Sequence, residues 1–409
     1  MIGNSKRVNV FYPILVLVLT WPLLGGYFPI LSRTWIWILV GCVISSLTSP
    51  TYYRQSSMKW LLLYVLVLLA NFLMGDYTYG NFPLLALEIG VLVLSTFLSY
   101  YFFILKNYNT SRAVMIELLI LISIISIFTF VLDRQYPGVL RNSIQILFSE
   151  RDSSIMNSYY RLGMSNYYLP HALPIIIPPL IMGVKNKGLK VWVRFLLLVV
   201  LVLSLVLIYV SNAATAVILT MMVLLMALIT YSGLDQNNAT WFAIIVLVFL
   251  PFFFFKDLMA QTLGFLSSLF PEGNVNDRII DLEQSLISNE AQGDMEGRMS
   301  LYTSSVNDFV TSILLGSNNK PGGHSALLDK LAALGLIGII PYIIFIWLQF
   351  KQMSKIIPRK NRLFYYEGFL AGIMMLTFKN MDSWEMWLMM FVMLPMLTLY
   401  LGSDRQNCL

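Results

Sequence analysis

The chain has 409 residues, of which 58% are apolar and only 12% charged, with a formal net charge of +6 and a mean hydropathy of +0.73. Soluble domains carry about 25% charged residues, so the composition excludes a set of soluble domains and describes one membrane domain over 1–409. The basic residues lie between apolar runs rather than in one patch, which argues against nucleic acid as a partner, and Cys42 and Cys408 alone cannot build a disulfide framework or a metal knuckle.

A helix needs about 20 mostly apolar residues to cross the hydrocarbon core. Lys6 and Arg7 precede the first apolar run; no small-residue cleavage site follows and more spans do, so the run reads as a span. In chain order the spacing predicts twelve: 9–29, 33–49, 59–75, 83–104, 113–133, 168–184, 191–211, 213–232, 241–258, 325–350, 363–379 and 385–402. The fold class expected is therefore an all-α integral membrane protein. Pro174, Pro178 and Pro179 predict a kinked sixth span; prolines are tolerated there because neighbours re-satisfy the freed carbonyls.

Lysine and arginine bias predicts orientation. With both termini cytoplasmic, sixteen basic residues fall on the inner side and ten on the outer. Seven of those ten lie in two long loops, 134–167 and 257–324, and an eighth, Lys256, borders the second; long loops do not vote. The expectation is that both loops face the outer side. Within the second, Ile279, Ile280, Leu286 and Ile287 suit one amphipathic helix, and Tyr302, Val306, Phe309, Val310 and Ile313 another, lying along the membrane-water interface.

The candidate chemistry sits in these loops. The first ends in Tyr159-Tyr160-Arg161-Leu162-Gly163; the second holds Arg278, then Gly297-Arg298, and ends in Gly322-Gly323-His324-Ser325 before a helix. Arginine suits phosphate because its planar fork donates two parallel hydrogen bonds and stays charged. A helix N-terminus adds unpaired N–H groups. Histidine titrates near neutrality and can take a proton from a hydroxyl. Each piece has a plainer reading: a loop arginine is often a headgroup contact, and His324 can be a residue beside a cap supplied by Ser325. His171, inside the proline-rich span, reads as an interhelical hydrogen-bonding group. Glu88, Glu117, Asp329, Lys330 and Glu367 lie within predicted spans near their ends, where pairing competes with a functional role. No metal-ligand spacing and no Walker motif occurs, so neither metal nor ATP is expected.

Gly297-Arg298 leading a helix, Gly316, His324-Ser325 and Leu334-Gly335-Leu336-Ile337-Gly338 together resemble the O-antigen polymerase and ligase superfamily of bacterial envelope enzymes, and Arg161-Leu162-Gly163 resembles its earlier motif. One departure is that the stretch Ser211-Asn212-Ala213-Ala214-Thr215-Ala216 lacks the basic residue that members often carry there. The resemblance implies a metal-independent membrane glycosyltransferase of GT-C-like fold without a cofactor, in the bacterial inner membrane. Its donor and acceptor would be oligosaccharide repeat units on undecaprenyl diphosphate, with a chain-length regulator as a further partner. Arg298, Arg161 and Arg278 would bind the diphosphate, Arg298 also serving in catalysis with His324, which would orient or deprotonate the acceptor hydroxyl. A ligase transferring glycan to lipid A-core is the near alternative, and a lipid-linked oligosaccharide flippase or transporter the alternative from another class; polymerase is preferred on family-level analogy. A non-enzymatic scaffold would give Arg298 and His324 no reason to converge.

Overall fold

The computed structural model describes residues 2–28, 31, 33–74, 82–140, 158–232, 261, 263–265, 267–268, 274–288, 294–317 and 323–402. Every regular element among them is helical. In chain order these are α1 (Ile2–Thr20), α2 (Pro22–Tyr27), α3 (Thr34–Thr48), α4 (Ser56–Leu73), α5 (Phe82–Ser99), α6 (Tyr108–Gln135), α7 (Tyr168–Ala172), α8 (Ile177–Lys185), α9 (Val191–Val210), α10 (Ala214–Ser232), α11 (Asn274–Ser288), α12 (Asp294–Thr311), α13 (Ala326–Ile356), α14 (Arg362–Phe378), α15 (Trp384–Leu388) and α16 (Leu394–Leu401).

Eight described helical stretches are long and apolar enough to cross a membrane by length and composition, which makes the chain an all-α, multi-pass membrane protein. They coincide with eight of the expected spans. Three other expected spans are represented by shorter helices: Val10–Thr20 within α1, then α3, and α14. The expected span at 241–258 lies outside the described residues, as do 141–157 of the first loop.

The proline-rich span bends where its prolines remove backbone donors. It runs through α7, a 3₁₀ turn at Leu173–Ile176 and then α8. The last span, α15 through a π-helical segment at Met389–Met393 into α16, is buried on nearly every residue. A helix apolar all round belongs in a core, and this one packs on α5, α7, α8, α14 and α6. Its methionines, Met386, Met389, Met390, Met393 and Met396, are all buried; the unbranched thioether fills irregular gaps between helices.

Helix α13 runs antiparallel to α4, and three contacts set their register. The Gln349 side chain donates to Ser57 Oγ at 3.2 Å, the Tyr342 and Tyr64 rings stand 4.9 Å apart, and Asn71 Nδ2 donates to the Ala333 carbonyl at 3.5 Å. The last contact marks a break. Gly335 has φ 57° and ψ −163°, outside helical space, so α13 is two helices end to end. At 31 residues the whole is about 46 Å long. The part after Gly335 is about 31 Å, enough to cross alone.

The break is filled by protein. Residues 313–317, the turn that ends α12, lie against it. Ser317 N–H donates to the Ala332 carbonyl at 2.9 Å, while the N–H groups of Leu336 and Ile337 donate to the carbonyls of Ile313 and Leu314 at 2.9 and 3.1 Å. Gly316, at φ 84°, makes this approach possible: a Cβ there would stand 2.0 Å from the Ala333 oxygen.

Candidate functional site

The site is built around the segment that enters α13. Ser325 caps the helix, its side chain accepting from Leu328 N–H at 3.2 Å. His324, half-buried, stands immediately before it. Asp329, one turn into the helix and buried, gathers the surrounding pieces. Its carboxylate accepts from Ser305 Oγ at 3.0 Å and from the backbone N–H groups of Gly323 and Ser325, with His324 close enough to bear on its charge. Backbone N–H donors that converge on one buried carboxyl hold the loop in place.

Ser305 belongs to α12, so this contact docks α12 on the His324 segment. Tyr302, nearly one turn earlier, donates its hydroxyl to the Phe378 carbonyl at 3.1 Å. Arg298 stands seven residues before Ser305, two turns away, and so on the same face of the helix. The structure thus docks α12 at Ser305 beside the segment that bears His324, with residue 298 two turns further along the same helix face; the Arg298 side chain itself lies outside the described residues.

A second hub is the stretch 378–385, from the last residue of α14 through the linker 379–383 to the start of α15. The Lys379 carbonyl accepts from Ala326 N–H at 3.1 Å. Asp382 pairs with Lys330 at 2.7 Å and accepts from the Trp387 indole. Lys330 also pairs with Glu88 of α5, which accepts from the Tyr64 hydroxyl at 2.6 Å. The ammonium stands 5.3 Å and 5.8 Å from the ring centroids of Tyr342 and Tyr64. A lysine buried this far is stable only if paired, and two carboxylates from separate elements supply the pairing. For Lys330 and Glu88 the plainer reading, pairing, is therefore what the structure shows, with each other and with Asp382 as partners.

The Arg161 segment reaches the same stretch from the other side. One helical turn at 158–161 leads to Ser165, whose N–H donates to Thr129 Oγ1 at 2.8 Å, and to Asn166, whose side chain donates to Glu385. Arg161 itself is exposed. Arg278 is half-buried on α11, beside the buried Ile279, and α11 packs against α12 and α10. His171, fully buried, bonds the Tyr167 carbonyl through Nδ1 at 2.9 Å, with its ring 4.4 Å from that of Tyr167; it is held within its own span.

The segments carrying Arg161, Arg298 and His324 thus all bond, directly or through one residue, to the stretch 378–385. Asp382, Glu385 and Asn166 emerge only here. Asn166 and Asp382 lie in short polar stretches between apolar runs and Glu385 at the very start of one, and only the tertiary contacts single them out. Two carboxylates, Glu88 and Asp382, share the single Lys330 ammonium, so the hub holds more acid than base. An anion would be repelled from its centre and attracted to the arginines around it.

The arrangement offers an imidazole at a helix entrance, buried carboxylates that hold its loop, and arginine-bearing helices on the flanks. Among the described residues no group of His, Cys, Asp and Glu side chains is placed to hold a metal ion. Comparison with protein-family models and with curated proteins returned no match.

Proposed function

We propose that the chain is a membrane glycosyltransferase that polymerises undecaprenyl-diphosphate-linked oligosaccharide repeat units on the periplasmic side of a bacterial inner membrane. The observation that supports this reading is the Ser305–Asp329 contact, which docks α12, the helix that carries Arg298, beside the His324 loop. The resemblance of these segments to the O-antigen polymerase and ligase superfamily supplies the reaction class. In this reading the chain has twelve spans in a GT-C-like arrangement, with both termini cytoplasmic, as the charge bias favours.

The acceptor hydroxyl oxygen attacks the anomeric carbon of the donor while the bond from that carbon to the diphosphate oxygen breaks. His324 takes the hydroxyl proton, and the lipid diphosphate leaves with the bonding electrons. Its developing charge calls for fixed cations, a task for Arg298, Arg161 and Arg278 around the acidic hub. The test is to reconstitute the purified protein with a defined lipid-linked repeat unit. A ladder of products from that substrate alone supports polymerisation. Product only when lipid A-core is added would make the protein a ligase, and no glycan transfer in either case would refute the reading.

One observation favours transport instead: α13 is discontinuous and carries buried Lys330 beside its break, and transporters bind substrates at broken helices. Against this, the groups freed at Gly335 are taken up by residues 313–317 and by Asn71 rather than left for a substrate. Movement of the lipid-linked sugar across vesicles without bond formation would establish the transport reading.

A further inference from the structure

Residues 313–317 pose a problem that neither reading addresses. Ile313, Leu314 and Leu315 follow one another and are 47%, 62% and 67% exposed. Three consecutive exposed aliphatic side chains in a turn are an error in water unless something apolar covers them. Their surroundings say what does. Ile337, Ile340, Ile343 and Trp347 form an exposed stripe along the membrane-crossing part of α13. At its upper end Ile337 donates its N–H to the Leu314 carbonyl, so the stripe runs without interruption into the turn. Val310 and Val306, also exposed, extend it one and two turns back along α12.

The backbone is equipped for the same environment. Non-helical chain at membrane depth is tolerated only where its polar groups are bonded. Here the carbonyls of Ile313 and Leu314 accept from Leu336 and Ile337, Gly316 N–H donates to Ser312 at 2.8 Å, and Ser317 N–H to Ala332. The broken helix gives the turn hydrogen-bond partners that water would otherwise provide.

We infer that this turn is a lipid contact: Ile313, Leu314 and Leu315 sit among bilayer acyl chains at the edge of the hydrocarbon core, anchoring the end of α12 in the membrane. The inference rests on the membrane reading of α13 and not on the proposed reaction. It gives α12 a fixed depth, with Ser305 and Tyr302 held above the lipid.

The test uses single thiols in full-length protein carrying Cys42→Ser and Cys408→Ser, reconstituted in phosphatidylcholine–phosphatidylglycerol vesicles. Leu314→Cys is compared with Thr303→Cys, an exposed position on α12, and Ile340→Cys, on the α13 stripe. The L314C thiol is expected to react with a membrane-impermeant maleimide about tenfold or more slowly than T303C, since water is excluded from that depth. A nitroxide there should collide with oxygen more than with a water-soluble nickel chelate, as at I340C. Leu315→Cys should behave alike, which guards against one misfolded variant. Labelling of L314C as fast as T303C would overturn the inference. Slow labelling with few collisions of either kind would overturn it too, because that result means cover by protein, such as a second copy of this chain.

Discussion

Replacing Lys330 by Met is the sharpest test of the packing at the site. The Lys330–Asp382 pair, 2.7 Å apart with both side chains about nine-tenths buried, has a gross attraction of about 6 kcal/mol at an effective dielectric of 20. Desolvation offsets much of that in the intact protein. Removing the lysine is different, because Glu88 and Asp382 are left buried without their cation; breaking such a pair costs about 3–5 kcal/mol. Unfolding entropy scales to about 0.9 kcal/mol per kelvin for 409 residues. The melting temperature should therefore fall by about 3–6 °C, followed in detergent by the loss of the monodisperse peak on heating. Adding Glu88→Gln and Asp382→Asn to Lys330→Met removes the orphaned charges and should recover more than half of the loss. A single variant that melts with the wild type, or a triple variant less stable than the single one, would refute the account of Lys330 as the cation that two carboxylates require.

Other outcomes follow from the same geometry. Gly316→Ala should destabilise the protein severely, seen as loss of folded material after membrane extraction, because its Cβ meets the Ala333 oxygen at 2.0 Å and the residue stands at φ 84°. By contrast Gly297→Ala, where a Cβ meets nothing within 4 Å, should be silent in the same assay. Ser305→Ala should cost about 1 kcal/mol and raise amide hydrogen exchange in 299–312 and 323–328 together, with α9 unchanged. If the proposed reaction is right, His324→Ala should abolish long glycan while the protein remains in the membrane, and Arg298→Ala should weaken binding of the lipid-linked donor in a direct binding assay.

The membrane helices were legible because each needs a long apolar run, and α11 and α12 because Ile279, Val306 and Val310 recur at helical spacing. The junction at Gly335 was not. In Leu334-Gly335-Leu336 the glycine reads as one small residue inside an apolar run, and a positive φ leaves no trace in periodicity. The fusion of two sites of contact was equally hidden. Lys330 is 242 residues from Glu88 and 52 from Asp382, and no local pattern connects them. His324 was legible as a residue before a helix cap; that Asp329 ties its loop to Ser305 required the folded chain.

The burial of the span from Trp384 to Leu401 has a consequence for how the molecule is made. Chains emerge from the ribosome at about 5–20 residues per second, N-terminal part first. The other described helices are therefore synthesised before the one that they surround. Until it arrives, the groups that face it, such as Tyr342 and Phe345 of α13, lack the neighbours they have in the finished protein. The half-made bundle must hold a vacant slot, or remain loosely associated, and close upon a late arrival. A chain halted before Trp384 would lose its centre rather than its edge.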